Sequence, residues 1–421
     1  MKSSSQHSHL TRRRFAGSSL AGAAAVLSAS WVRGAGATGE TEHFHYRLAP
    51  PGPYVDSQRG SQAFGIGAGR IHLSEDNART WSRGVAFADA AQIDFSCLLE
   101  NGNIVFATRS RIFISTDRLR SYRELTVLDE AGRPFVPRPP RNPAKAGWHF
   151  YSLDGRHTFP VGGREMLIWG SYCNVRSEPV PANIYYSVDG GDTVKIAYSF
   201  GQNPHFQHPD AAVGDRLGNP DNPVICRHVH SVAYNPVEDA FYACSGDIER
   251  GHGKECHWLR GVYDATADRW RWQVIVSSDA NSRYKSGGIN FVDGRLHWVA
   301  DANGPKTPEE TYDRGIFRCD PADLANPARH TRLFGAKYEI ACMTVAGNVM
   351  LAPHYGNASP FDTGFMISPD LGRTWAEYDL KQFGDRSGVR VSPPNDEGWF
   401  RVGLRRRWLD RGEVLFIKPK S

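Results

Sequence analysis

Short runs of alternating apolar and polar residues recur along the chain, each broken by Gly, Pro, Asn or Asp. A period of two puts successive side chains on opposite faces of a strand, so these runs predict sheet. Residues 228–247 read as strand, turn at Asn235-Pro236, strand. Residues 288–301 form an alternating hairpin that turns at Asp293-Gly294, and residues 341–352 one that turns at Gly347-Asn348. Such pairs are strong short-range hairpin signals, because the tight turn needs residues tolerant of positive φ. Runs at 69–73, 111–114, 183–186, 399–403 and 413–417 predict further strands.

Several of these strands run into one repeated turn. Ser74-x-Asp76, Ser115-x-Asp117, Ser187-x-Asp189 and Ser368-x-Asp370 are each followed four residues after the Asp by Thr80, Ser121, Thr193 and Thr374, then by Trp81, Tyr122, Val194 and Trp375. In such a hairpin tip the carboxylate accepts from backbone N–H groups of its own turn, a glycine supplies the positive φ, and the aromatic tucks under the hairpin. Ala78 and Leu119 stand where the other two copies have Gly191 and Gly372, which predicts two looser turns. The repeat resembles the Asp-box (BNR repeat) of sialidases and related propellers. Residues 261–270 occupy the place of a further, degenerate copy.

Seven such units can be counted, centred near residues 70, 105, 170, 245, 295, 350 and 405. A four-stranded sheet cannot bury both faces alone, so units of this kind stack into a closed ring. The expected fold is therefore all-β: a single β-propeller over residues 38–421, most simply of seven four-stranded blades, with six as the alternative. The run 43–47 is expected to pair with the last blade and fasten the ring, and the Pro-rich stretch 133–143 to be a loop at the rim.

The first 37 residues read differently. A polar start, then Arg12-Arg13-Arg14-Phe15, an Ala-rich apolar run from Ala16 to Val32 and Ala35-Gly36-Ala37 have the layout of a cleaved signal. The arginines followed by Phe resemble the twin-arginine signal, whose substrates cross the membrane folded. The apolar run is too diluted by Gly and Ser for a membrane span, so a periplasmic or secreted protein with no membrane anchor after cleavage is expected. Cleavage also changes the charge. Of 50 basic residues, Lys2, Arg12, Arg13, Arg14 and Arg33 precede Thr38 and no acidic residue does, which leaves 45 against 45. A neutral mature chain lacks the basic stripe that nucleic acid requires. The seven cysteines are odd in number and irregularly spaced, which reads as small buried hydrophobes. Oligomeric state is not legible.

Chemistry-bearing residues crowd the third to fifth units. His228 and His230 lie two apart on one predicted strand and so share a face. The run around them resembles the His-x-His-(Gly/Ser)-Val-x-Tyr-(Asp/Asn)-Pro element of bacterial sialidase-like propellers. The arginine motif with which exo-sialidases begin their carboxylate site, Phe/Tyr-Arg-Ile/Leu/Val-Pro, does not occur. A mouth rich in His and Tyr with a few arginines suits β-elimination of a uronic-acid glycan, which needs a neutralised carboxylate, a base and an acid. In residue inventory the chain resembles propeller-type polysaccharide lyases. His228 is the base candidate, Tyr172 or Tyr284 the acid, and His149 a substitute. Arg227 and Arg156 are expected to bind the carboxylate, with His230, His208, Asn174, Lys285 and Asp301 as further contacts to an anionic poly- or oligosaccharide. Two other readings stay open: a glycoside hydrolase using Asp247 and Asp301, and a propeller that binds glycan without cleaving it. No cofactor and no catalytic metal are expected. A structural Zn²⁺ on Cys244, His252, Cys256 and His257 is the metal alternative.

Overall fold

The computed structural model describes residues 36–49, 52–82, 84–137, 148–153, 155–173, 180–201, 218–246, 256–278, 282–301, 313–336, 339–340, 342–355, 364–380, 387–405 and 413–420. Their strands form seven sheets in chain order. Blade one is Tyr54–Arg59, Gln62–Gly67, Arg70–Ser74 and Val85–Ala86, and blade two is Ile93–Leu98, Ile104–Thr108, Ile112–Ser115 and Arg123–Leu125. Blade three is Thr158–Val161, Arg164–Gly170, Asn183–Ser187 and Val194–Ser199. Blade four comprises His228–Asn235, Ala240–Gly246, Cys256–Asp264 and Arg269–Ser278. Blade five comprises Ile289–Val292, Arg295–Val299, Gly315–Cys319 and Thr331–Gly335. In blade six, Glu339–Ile340 and Thr344–Ala346 both pair with Val349–Tyr355, followed by Gly364–Ser368 and Ala376–Asp379. Blade seven is Ser387–Ser392, Phe400–Arg405 and Val414–Pro419, completed by Phe44–Leu48 from the start of the chain, with Thr38–Glu40 outside it. The ring is a seven-bladed β-propeller, and the early strand fastens it as the sequence implies.

The core is divided among the seams between blades. Phe64, Ile71 and Leu73 of blade one meet Phe106 and Phe113 of blade two. Equivalent clusters fill the other six seams, down to Val55 and Ala63 against Val414 and Phe416 where the ring closes. Residues alternating along each strand face neighbouring blades in turn, so second strands such as Ile104–Thr108 and Ala240–Gly246 are buried on both faces, while outer strands such as Arg269–Ser278 keep the alternation. All seven cysteines are free and buried among these side chains. Burial pushes the Cys173 thiol up to about 11 and those of Cys97 and Cys319 to about 12, so they stay protonated and inert.

The four repeated turns share one hydrogen-bond pattern. Asp76 Oδ1 accepts from the Thr80 N–H at 2.9 Å and the Ser74 hydroxyl at 2.8 Å, while Oδ2 takes the Thr80 hydroxyl at 2.6 Å. Asp117 and Asp370 repeat all three bonds, and Asp189 repeats the first two. The Thr80 bonds hold the Asp76 carboxyl at about 2, below the ordinary carboxylate range. The two turns without glycine are not looser. Ala78 and Leu119 take φ of 61° and 58° where Gly191 and Gly372 take 89° and 86°. Their side chains are buried in the seams, which offsets the steric cost of the left-handed conformation. At the degenerate copy the pattern changes: Asp264 Oδ1 accepts from the Thr266 and Ala267 N–H groups, two and three residues on, instead of four.

Blade three departs from the expectation. Val127–Leu128 pairs parallel to Val194–Ser199, and Pro134–Phe135 pairs with Val127–Leu128, making a six-stranded sheet. The stretch from Arg133 thus begins as a hairpin on the outer edge of a blade rather than a free loop, and its remainder lies outside the described residues. On the inner side, residues 148–153 and 155–157 precede the blade's first strand and reach blade seven. A Cβ on Gly155 would lie 2.0 Å from the Val391 carbonyl oxygen of blade seven, so the two backbones touch across the axis.

Candidate functional site

In each blade the turns between first and second strands, and the Ser-x-Asp turns between third and fourth, lie at one end of the ring. The blade-to-blade connections and the second-to-third turns lie at the other. The inner strands carry polar residues toward this second mouth through a shared irregularity. Their register shifts between Val55 and Ser57, Ile93 and Phe95, and Val229 and Ser231, leaving Asp56, Asp94 and His230 as the extra residues of β-bulges. A bulge bends the strand and re-aims a side chain, and such features gather near working sites.

Two imidazoles and a phenol meet there. His228 stacks on Tyr172 with ring centres 3.9 Å apart and planes 23° from parallel, and meets His230 edge-on at 4.7 Å. His230 Nδ1 lies 3.6 Å from Asp301 Oδ2, and Lys285 Nζ lies 3.7 Å from the same oxygen. Asp301 is fixed through its own N–H, which donates to the Lys285 carbonyl at 2.7 Å. Tyr172 is placed by its N–H on the Tyr151 carbonyl at 2.7 Å, and the Tyr151 ring meets it edge-on at 5.9 Å. Tyr151 lies beneath the Arg390 guanidinium, 5.2 Å from its ring centre. Arg390 Nη1 stands 3.6 Å from Asp56 Oδ1. Burial works against the charge of Arg390, but Tyr151, Asp56 and Tyr54 hold its pKa above the ordinary arginine value. The result is a continuous polar and aromatic belt, Lys285–Asp301–His230–His228–Tyr172–Tyr151–Arg390–Asp56, drawn from blades five, four, three, seven and one. Every member is buried, and His228 is 0 % exposed.

Of the residues expected from sequence, the structure therefore brings together His228, His230, Tyr172, Lys285 and Asp301. Arg227 is half-buried beside His228, its carbonyl accepting from the Cys173 thiol at 3.0 Å. His149 is turned toward blade three's outer hairpin, its ring 6.1 Å from that of Phe135. Tyr284 points into the seam between blades four and five, where its hydroxyl donates to the Leu324 carbonyl at 2.9 Å. Arg156 lines a separate cavity of about 1050 Å³ at the opposite end of the channel, its guanidinium over Phe159. Asn174, His208, Asp247 and His252 lie outside the described residues. Cys244 and Cys256 sit with thiols 3.9 Å apart, both donating to the Tyr284 carbonyl, while His257 Nδ1 is 2.9 Å from the Ser277 hydroxyl. Among the described residues no group of three or more His, Cys, Asp or Glu is placed to hold a metal ion. Tyr151, Arg390 and Asp56 were not expected. Nothing local marks them, since their partners lie on other blades.

No family model and no curated protein matches the chain. Solved structures match over most of its length at low identity. "YCF48 bound to D1 peptide" is 11% identical, with 90% of this chain and 98% of that one covered and a TM-score of 0.46. A chain of the mitotic checkpoint complex is 11% identical over 96% and 99%, at 0.49. An ancestral GH74 enzyme is 13% identical, at 0.48; 91% of this chain is covered, and the chain spans only 51% of that enzyme. At such identities and scores these likenesses carry nothing about chemistry.

Proposed function

We propose that the chain is an exported carbohydrate-active propeller that cleaves uronate-containing glycans by β-elimination. The observation that supports the reading is the meeting of two imidazoles, a phenol and a buried ammonium at one mouth of the ring. In the reaction, cations neutralise the uronate carboxylate, and a base takes the C5 proton. The C–H electron pair becomes the C4–C5 double bond, the C4–O4 bond breaks, and an acid returns a proton to O4. His228 is assigned as base and Tyr172 as acid, with Arg227 and Lys285 facing the carboxylate. The Ser-x-Asp turns, read as Asp-boxes, are scaffold and lie at the far end.

Incubation with a panel of uronate-containing polysaccharides, followed by ultraviolet absorbance, tests the reading, because elimination leaves an unsaturated sugar and hydrolysis does not. His228→Ala is expected to lower turnover at least ~10²-fold with the fold intact. A silent panel, or a fully active His228→Ala variant, overturns it. The complete burial of His228 favours a second reading, a propeller that binds such glycans without cutting them. That reading predicts saturable binding with no new absorbance.

A further inference from the structure

Arg390 is a buried cation held by several blades at once. From the inner strand of blade seven its Nη2 donates to the Ser152 carbonyl at 2.8 Å and the Asp94 carbonyl at 3.3 Å. The Asp56 carboxylate faces it and accepts the Ser96 hydroxyl at 2.6 Å, which in turn lies 2.7 Å from the Ser57 hydroxyl. Arg390 is only 7 % exposed. A guanidinium presents its donors in one rigid plane, so partners from blades one, two and three together fix its position and that of whatever lies on its face.

What lies on its face is Tyr151. The carbonyl of Tyr151 accepts the Tyr172 N–H, its ring abuts the Tyr172 ring, and the Tyr172 ring carries His228. We infer that Arg390 is a positioning residue for the mouth: it sets Tyr151, and through Tyr151 the stacked pair Tyr172 and His228, from a blade that is not their neighbour. The inference rests on the elimination reading only where it treats His228 as the working base. The geometric claim stands without it.

The stack supplies a readout that a general loss of stability would not move. Protons of an imidazole lying face-on to a phenol are shielded, so the His228 ring signals of the full mature chain, isotopically labelled at histidine, lie upfield. His228→Gln identifies them by their disappearance. In Arg390→Met the His228 signals are expected to lose most of that displacement, while those of His297 in blade five stay in place. Arg390→Lys, which keeps the charge but not the planar fork, is expected to fall between. Tyr151→Leu cuts the same link while leaving Arg390 and Asp56 paired, and carries the test if Arg390→Met does not fold. Unmoved His228 signals in folded Arg390→Met or Tyr151→Leu overturn the inference. A wild-type chain that shows the shielded signals and their Arg390 dependence but yields no elimination product refutes the lyase reading alone.

Discussion

Removing the Phe44 side chain probes how the ring is closed. Phe44 is fully buried, edge-on to Tyr378 at 4.6 Å and tilted against Phe365 at 5.4 Å, both in blade six. Its backbone pairs with Pro419 in the last strand of the chain. A core Phe→Ala change costs about 3–5 kcal/mol, of which aromatic contacts of this kind supply about 0.5–1.5 kcal/mol apiece. Against a total of roughly 5–15 kcal/mol, Phe44→Ala should lower the urea midpoint markedly. Phe106→Ala is the control, since Phe106 is equally buried between blades one and two, far in sequence from the closure. Both variants should lose similar global stability. Phe44→Ala should speed amide exchange in residues 414–418, whose outer neighbour is Phe44–Leu48, more than Phe106→Ala does. A loss below about 1 kcal/mol, set against the 3–5 expected, or equal exchange at 414–418 in the two variants, refutes the reasoning.

Gly155→Ala forces a Cβ onto the Val391 carbonyl, where only backbone can yield, and should cost about 1–3 kcal/mol by thermal denaturation. Arg118→Gly should raise stability by up to about 1 kcal/mol, because Arg118 holds φ 62° in an exposed turn and its ion pair with Glu75 is exposed too. Burial depresses the His297 pKa from 6.5 to about 4, so the unfolded chain takes the proton first. The stability this residue contributes is fully present above about pH 6.5 and is lost as pH falls toward 4, roughly 3 kcal/mol in all; His297→Leu should flatten urea midpoints measured across that window. Replacing Arg12 and Arg13 by Lys should hold the precursor in the cytoplasm, with normal export leading to a chain that begins near Thr38 by N-terminal sequencing.

The fold was legible because its signals are local. Alternation and turn chemistry act within a few residues, and a Ser-x-Asp turn closes its own hydrogen bonds wherever it stands. The error on Ala78 and Leu119 shows the limit of that locality: a residue disfavoured in the left-handed region is kept there by burial against the next blade, which the turn sequence does not record. The site was legible where its members share a strand, as His228 and His230 do, or occupy neighbouring blades, as Tyr172 does. Arg390 and Tyr151 were not, because they meet across the axis. Tyr284 and Arg156 have the right chemistry, but one faces a seam and the other the far cavity.

A ring whose parts touch only their neighbours behaves like a bracelet of links, in which any clasp can open without the distant links noticing. The contact of Gly155 with Val391, braced by Arg390 on Ser152, draws a chord through this bracelet from the third link to the seventh. If the clasp between the seventh and first blades parts, the seventh remains tethered through the chord to the third. The axis is also no longer a straight bore. A ligand held in the cavity beside Arg156 and one held at the His228 mouth would occupy opposite sides of the same crossing chain.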